Sequence, residues 1–353
     1  MKFRVKYVVE DTDRHGNVRL YYRKAGQPKV RLRGPIGSPE FLTDYRRAAK
    51  GPQSVKGATD KPGKVAPVVP KSVRWLCGEY FKSAGFKQLD PRTQKVRRAI
   101  LERMCQHKGD GDKPFKLMEP RHVRLRRDEL SDRPEAANGM VKALRQLYAY
   151  GVKYDLHDRN PAASVEYLRG NPEGFHSWTI EEIEKFENKH PVGSQARLAL
   201  ALALYTGQRL SDLIQLGRQH ARDGWLTFTQ HKGRNRNPVR MEIPIIPELQ
   251  RIIDATPTGD LTYLVNERGT PWTAGSFGNR FRKWAREAGL NDCPLHGLRK
   301  AAAARLAELG CTEFEIMAIT GHRTSKEVTR YTRAARQKTR AESALKRLTD
   351  GQK

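Results

Sequence analysis

Acidic residues are the scarce class in this chain. Its 353 residues hold 39 Asp and Glu against 67 Lys and Arg, a formal net charge of +28 with a pI near 10.2. A surplus of that size points to a polyanionic partner, and nucleic acid is the commonest one. Long apolar runs are missing as well. No segment approaches the roughly 18 residues of a membrane span, which leaves an anionic membrane surface as the weaker reading. The first residues, MKFRVKYVVEDTDRHG, break a short apolar run with charge, unlike a signal peptide. Cysteine is sparse, at 77, 105, 293 and 311 with no CxxC, so neither a zinc site nor a disulfide framework is indicated. No internal repeat or sustained heptad is present. A reduced, cytoplasmic protein with two to three domains fits these deficits.

What the chain does contain falls into three blocks. Residues 3–10, 18–24 and 28–33 read as three short strands, rich in aromatic and β-branched side chains, with turns at His15–Asn17 and Ala25–Gln27. A helix opening at Pro39 and running towards Ala49 would cover one face. The other face stays wet and would carry much of Arg4, Lys6, Arg19, Arg23, Lys24, Lys29, Arg31 and Arg33. Of these, Arg19, Arg23, Lys29 and Arg31 are candidate DNA contacts, although a solvated basic face would look the same.

Residues 51–70 have the Gly, Pro and Lys content of a flexible linker. A helical block follows over 71–170. One amphipathic helix carries Val73, Leu76, Tyr80 and Phe81. A second, after Asp90-Pro91, carries Val96, Ile100 and Met104. A third, over 134–150, carries Met140, Val141, Leu144, Leu147 and Tyr148. Between them, the basic run 121–127 offers Arg124, Arg126 and Arg127 to phosphates. The clearest boundary is the Gly- and Pro-containing stretch 170–174.

The last block, 173–353, opens with a capping box, Thr179 and Glu182. Residues 196–204 alternate like a strand but consist almost wholly of Ala and Leu, so a helix is expected. Arg209 follows at the mouth of a short helix, with Asp212 three residues on, placed to brace its guanidinium. A plain intrahelical ion pair would leave the same trace. Residues 225–230 and 238–243 form a hairpin with a basic, Gly-containing tip. Helices are expected after Pro247 and over 275–288. The chain is organised around 295–331. There a helix with an apolar stripe of Leu295, Leu298, Ala302, Leu306 and Leu309 carries His296 and Arg299 on one face. Capping boxes at Thr312/Glu315 and Thr324/Glu327 start two more helices. The first stops at Gly321, just before His322, and the second carries Tyr331.

Arg209 in TGQRLSDL, Lys232 in QHKG, His296 and Arg299 in HGLR, His322 in TGH and Tyr331 nine residues later stand in a fixed order. In that order and spacing the chain resembles the tyrosine recombinases of the phage integrase type. The resemblance is strong over 173–335, weaker over the helical block and weakest over the N-terminal strands. It departs at Asp212, where Glu is more usual, at Gly233, where Thr is common, and at Thr320, where Leu is usual.

The resemblance implies a mostly α fold with small β elements (α+β). An arm-type DNA-binding sheet over 1–50 and a linker over 51–70 would lead into a helical core-site domain over 71–170, and then a catalytic domain over 173–353. It implies a site-specific recombinase that integrates or excises a prophage or mobile element, with double-stranded DNA as partner, a homotetramer on paired sites, and room for an accessory bending or excision factor. Bacterial cytoplasm, at the nucleoid, would be its place of work. Arg209 and Arg299 would clamp non-bridging phosphate oxygens, Tyr331 attack, His296 accept a proton, His322 donate a hydrogen bond, and Lys232 protonate the leaving 5′-oxygen. A 3′-phosphotyrosyl link conserves the bond energy, so no metal, ATP or other cofactor is expected. A type IB topoisomerase would share the chemistry and a non-catalytic DNA-binding regulator would share the charge. The arm-like sheet argues against the first and the complete catalytic set against the second.

Overall fold

In a computed structural model the chain folds as two compact units. One joins Met1–Val55 with Phe175–Lys353, and the other is Lys56–Gly174. The structure describes residues 5–12, 16–50, 68–171, 174–235 and 237–350, without the side chains of 330, 331, 333–336 and 338–340. Most of the expected linker, 51–67, lies outside the described residues, as do Arg4 and His15.

The N-terminal strands are β1 (Val8–Thr12), β2 (Val18–Tyr22) and β3 (Val30–Leu32), followed by helix α1 (Pro39–Ala49). They form an antiparallel sheet in sequence order, with Val8 opposite Tyr22 and Leu20 opposite Leu32. The first strand begins later than the sequence pattern suggests because Tyr7 takes a left-handed φ of 64°, which an extended strand cannot contain. Leu20, Tyr22, Val30 and Leu32 share the face packed on Phe41, Leu42 and Tyr45 of α1. Leu261, from far along the chain, completes this small core, and Lys6 N–H donates to Asp260 at 3.3 Å. Arg33, just past β3, is exposed but not unpaired. Its guanidinium grips the fully buried Asp44 of α1 through two hydrogen bonds of 2.8 and 3.0 Å.

The second unit contains α2 (Val73–Lys82), α3 (Ala84–Lys87), α4 (Pro91–Gln106), α5 (Pro120–Asp128) and α6 (Pro134–Lys153). All five residues named for α6 are buried, from Met140 to Tyr148. On α4 the buried residues are Leu101, Met104 and Cys105, whereas Val96 is half exposed. Of the expected stripe, Met104 is buried and Ile100 packs against the core, and only Val96, nearer the start of the helix, projects past it.

The remainder of the first unit runs α7 (Ile180–Lys189), α8 (Gln195–Thr206), α9 (Leu210–Leu213), β4 (Ala221–Arg222), β5 (Trp225–Thr229), β6 (Arg240–Pro244), α10 (Pro247–Ala255), α11 (Ala274–Glu287), α12 (Leu295–Glu308), α13 (Glu313–Thr320) and α14 (Ser325–Asp350). The Ala–Leu run is the central helix α8, buried on every side. Helix α12 packs on α8, α13 and α14 with Ala301, Ala302 and Ala303 all buried, and small side chains make that close approach feasible. Its supposed stripe fails at the end: Leu309 caps the helix and is 81% exposed. In the β4–β5–β6 sheet, Leu226 and Phe228 face Ile243 and Met241 into the same core. No helix among the described residues is long and apolar enough to cross a membrane.

Candidate active site

Two helix ends meet at this site. Helix α8 ends at Gly207 and α13 at Gly321, both left-handed at φ 60° and 69°. Glycine takes that conformation without a Cβ penalty. Space requires it as well, since a Cβ on Gly321 would lie 2.4 Å from Gln230 Nε2. The last carbonyls of a helix lack intrahelical partners and carry the negative end of its dipole. Here they receive Arg299, whose Nη1 donates to Gly207 O and Thr320 O, each at 2.6 Å. The residue is 2% exposed. Carbonyl dipoles hold this guanidinium without cancelling its formal charge.

Arg209 caps the N-terminal end of α9 and is half buried. Its Nη1 donates to Gln230 Oε1 at 2.9 Å. The expected brace, Asp212, does something else. Its Oδ1 accepts the backbone N–H of His231 at 2.6 Å, and Oδ2 has no hydrogen-bond partner among the described residues. Burial raises the pKa of this carboxyl, while Arg209 and Arg299 act in the opposite direction. Asp212 therefore feels the guanidiniums electrostatically but ties down the residue before Lys232. Lys232 itself is exposed at the hairpin tip. Gly233 follows at φ 82°, where the commoner Thr would be strained, so this departure suits the local turn.

His322 stands just past the α13 cap and is 7% exposed. Desolvation, then Arg299 and Arg209, push its pKa down to about 3, which keeps the imidazole neutral. Its Nδ1 lies 2.7 Å from Thr320 Oγ1, and that hydroxyl also donates to Ile316 O at 2.6 Å. With the hydroxyl proton on Ile316, Nδ1 carries the ring proton in the neutral form. The Thr that stands where Leu is usual thus gives this ring nitrogen a hydrogen-bond partner. His296 lies at the rim, its ring edge-on to Phe175 with centroids 5.1 Å apart. Although the residue faces solvent, packing around its ring lowers the pKa, helped by Arg299, Arg209, Lys300 and Lys232. A lowered imidazole pKa favours the form that can accept a proton.

Tyr331 lies on α14, whose Val328 and Thr332 are fully buried and whose N-terminal turns pack on α12 and α13. Its side chain is outside the described residues. The capping box expected at Thr324 is altered: Glu327 reaches back to Arg323 N–H at 3.2 Å. The structure thus brings Arg209, Arg299, His296 and His322 within electrostatic reach of one another, with Lys232 acting on His296.

The candidate DNA-binding residues divide. On the sheet, Arg19, Tyr21 and Arg31 share the wet face and Arg23 is exposed, whereas Lys29 is drawn to Asp11 at 2.5 Å and lies over the Tyr21 ring. On α5, Arg124 is exposed with no ion pair among the described residues. Arg126 is consumed by Glu129, Asp110 and His107, and Arg127 by Asp128 and the Glu166 carbonyl. Elsewhere, His176, Glu182 and Cys293 lie close enough for a metal ion. They already satisfy one another: His176 Nε2 is 2.7 Å from Glu182 Oε2, and the Cys293 thiol, its pKa pushed up to about 12 by burial first, donates to Glu182. Gln208, Gln230 and the Thr320 carbonyl had no signal in the sequence, because a buried amide looks like any surface Gln.

Residues 176–338 match the phage integrase family model. Among solved structures, a lambda integrase dimer bound to a COC′ core site aligns at TM-score 0.64 and 16% identity, over 94% of this chain and 96% of that one. A lambda integrase tetramer bound to a Holliday junction gives 0.62 and 17%, over 92% and 98%. The Tn1549 transposon integrase with circular intermediate DNA gives 0.62 and 17%, over 74% and 94%. No curated protein matches the chain in sequence. The family model covers the whole ordered set from Arg209 to Tyr331, and the fold of solved integrases extends over nearly the whole chain: residues 176–338 carry a phage integrase domain.

Proposed function

We infer that this tyrosine-type site-specific recombinase cleaves and rejoins double-stranded DNA at paired sites through a 3′-phosphotyrosyl intermediate. What carries the reading is the pair of guanidiniums, Arg209 and Arg299, held by carbonyl and amide oxygens beside two imidazoles whose pKa values are lowered. A phosphodiester repels nucleophiles, so donors on its non-bridging oxygens lower the barrier, each typically by about 3–4 kcal/mol. The Tyr331 oxygen attacks phosphorus and loses its proton to His296. The P–O5′ bond breaks as Lys232 protonates the departing oxygen. Religation reverses these steps on a new strand. As the imidazolium, His322 donates to phosphate. The phosphate charge, offsetting the guanidiniums, would supply that proton affinity.

Lambda integrase forms a tetramer on a Holliday junction. A homotetramer on two duplexes, acting on nucleoid DNA in a bacterial host, is the corresponding assembly for this chain. The sheet over 1–50 would then serve a second class of DNA site, through Arg19, Arg23 and Arg31, and the helical block 71–170 the core site.

The test is a suicide substrate cut from DNA flanking the gene. The wild-type protein should form an adduct that survives denaturant, and Tyr331→Phe should form none while binding DNA within a few-fold. An adduct in the Phe variant would place the nucleophile elsewhere. Relaxation of a plasmid without exchange between two sites would favour the topoisomerase reading.

A further inference from the structure

Gln230 is the last residue before the hairpin tip that carries Lys232, and it is 1% exposed. A buried primary amide has up to four hydrogen bonds to satisfy. Its Oε1 faces Arg209 Nη1 at 2.9 Å. Its Nε2 donates to Gln208 Oε1 at 2.7 Å and to Thr320 O at 3.1 Å. Gln208 is 2% exposed, and its own Nε2 donates to Thr206 O and Ile319 O, both at 2.8 Å. The orientation of both amides follows from chemistry. A guanidinium can only donate and a peptide carbonyl can only accept, so neither side chain can be flipped without losing contacts at both ends. Hydrogen bonds therefore run one way, from Arg209 through Gln230 and Gln208 into the carbonyl ends of α8 and α13.

The Thr320 carbonyl is where this chain meets the other arginine. It accepts Gln230 Nε2 and, at 2.6 Å, Arg299 Nη1. A carbonyl oxygen has two lone pairs, and these two contacts use both. Arg209 and Arg299 are thus registered against a single atom, one directly and one through Gln230. The same residue precedes His231, whose N–H is held by Asp212, so the relay also sets the root of the Lys232 hairpin.

We propose that Gln230 is a positioning residue for DNA cleavage: it sets the orientation of the Arg209 guanidinium relative to Arg299 through the shared Thr320 carbonyl. The proposal rests on the recombinase reading above. Misplacing a catalytic group by about 1 Å can cost on the order of 10²-fold in rate. The loss belongs to the chemical step, because Gln230 is buried and does not reach DNA.

The experiment measures single-turnover cleavage of the suicide substrate at saturating DNA, together with DNA affinity and melting temperature. Gln230→Met keeps the length of the side chain and removes both the acceptor and the donors. It should cleave at least about 10-fold more slowly than wild type, with affinity within about 3-fold. The double variant Arg209→Ala/Gln230→Met should be no slower than Arg209→Ala alone, since a residue acting through Arg209 has nothing left to orient. Gln208→Met, one step further along, should show a smaller loss that likewise disappears in the Arg209→Ala background. Cleavage at the wild-type rate by Gln230→Met, or full additivity with Arg209→Ala, would overturn the proposal. If Gln230→Met does not fold, a silent or additive Gln208→Met overturns it just as well. A wild-type protein that forms no adduct sinks the recombinase reading and this one together, whereas wild-type cleavage with a silent Gln230→Met sinks only the relay.

Discussion

Arginine is used in opposite ways in the two units. In the helical unit, Arg126 is surrounded by Glu129, Asp110 and His107, and Arg127 by Asp128 and the Glu166 carbonyl. Carboxylates cancel most of this charge, and what remains is structural cross-linking between α5 and its neighbours. In the catalytic unit, the described hydrogen-bond partners of Arg299 and Arg209 are the Gly207 and Thr320 carbonyls and the Gln230 amide. Dipoles, rather than carboxylates, make these described contacts. Burial first, and then both arginines, lower the pKa of His322 and His296. A basic residue near DNA is therefore informative only once its partners are known.

The largest expected effect is at Arg299. Arg299→Ala should slow cleavage at saturating DNA by about 10²–10³-fold, the typical loss of one preorganised donor to a developing oxyanion. A single-turnover rate within a few-fold of wild type would put the charge to structural use, as at Arg126, and dissolve the contrast.

Lys232→Ala should also slow cleavage strongly, but by a different route. A 5′-bridging phosphorothiolate has a far better leaving group and needs little acid help. It should restore much of the rate to Lys232→Ala and not to Arg209→Ala, whose clamp acts on other oxygens. Equal rescue of both, or of neither, would contradict the division of roles. The rivals on the same loop, Arg234 and Arg236, are poor proton donors because guanidinium does not deprotonate at accessible pH.

Within the helical unit the contrast sharpens between neighbours. Arg126→Ala should cost about 1–3 kcal/mol of stability in denaturant melts, from a broken, partly buried ion network. Its cleavage rate at saturating DNA should remain near wild type. Arg124→Ala should leave stability alone and reduce the salt dependence of DNA binding by about one charge. Reversed outcomes would mean that α5 meets DNA through its other edge.

The smallest effect concerns pH. His322, with a pKa of about 3 in the folded protein, binds its proton more readily in the unfolded chain, near the ordinary value of 6.5. The unfolded state therefore holds more protons between those values, and the stability present above about pH 6.5 is lost as pH falls towards 3. His220, depressed to about 4, adds to the same trend. Melting temperature should decline from pH 7 to pH 5, less steeply in His322→Gln. An unchanged slope in that variant would show that neither burial nor the guanidiniums depress this imidazole.

Much of this was legible in the sequence. Charge imbalance named the partner class, Ala and Leu with few β-branched residues marked α8 and α12 as helices, and Gly207 and Gly321 marked their ends or those of their neighbours. Order and spacing alone singled out Arg209, Lys232, His296, Arg299, His322 and Tyr331 as candidates, since motifs are local. Two local readings went astray for a shared reason. Val96 and Leu309 fit an apolar stripe, but periodicity cannot say where along a helix the core stops. What a buried polar group is bonded to depends on residues far away in the chain. Asp212 was matched to the guanidinium three positions before it, whereas its partner is the His231 N–H on the hairpin. Gln230 and Thr320, 90 residues apart, become one relay only when α8, α13 and the hairpin close on a single carbonyl. Sequence determined the order and spacing of the groups proposed to carry the chemistry. Only tertiary structure decided what holds them, because a hydrogen bond is specified by distance and direction, and neither is written in spacing along the chain.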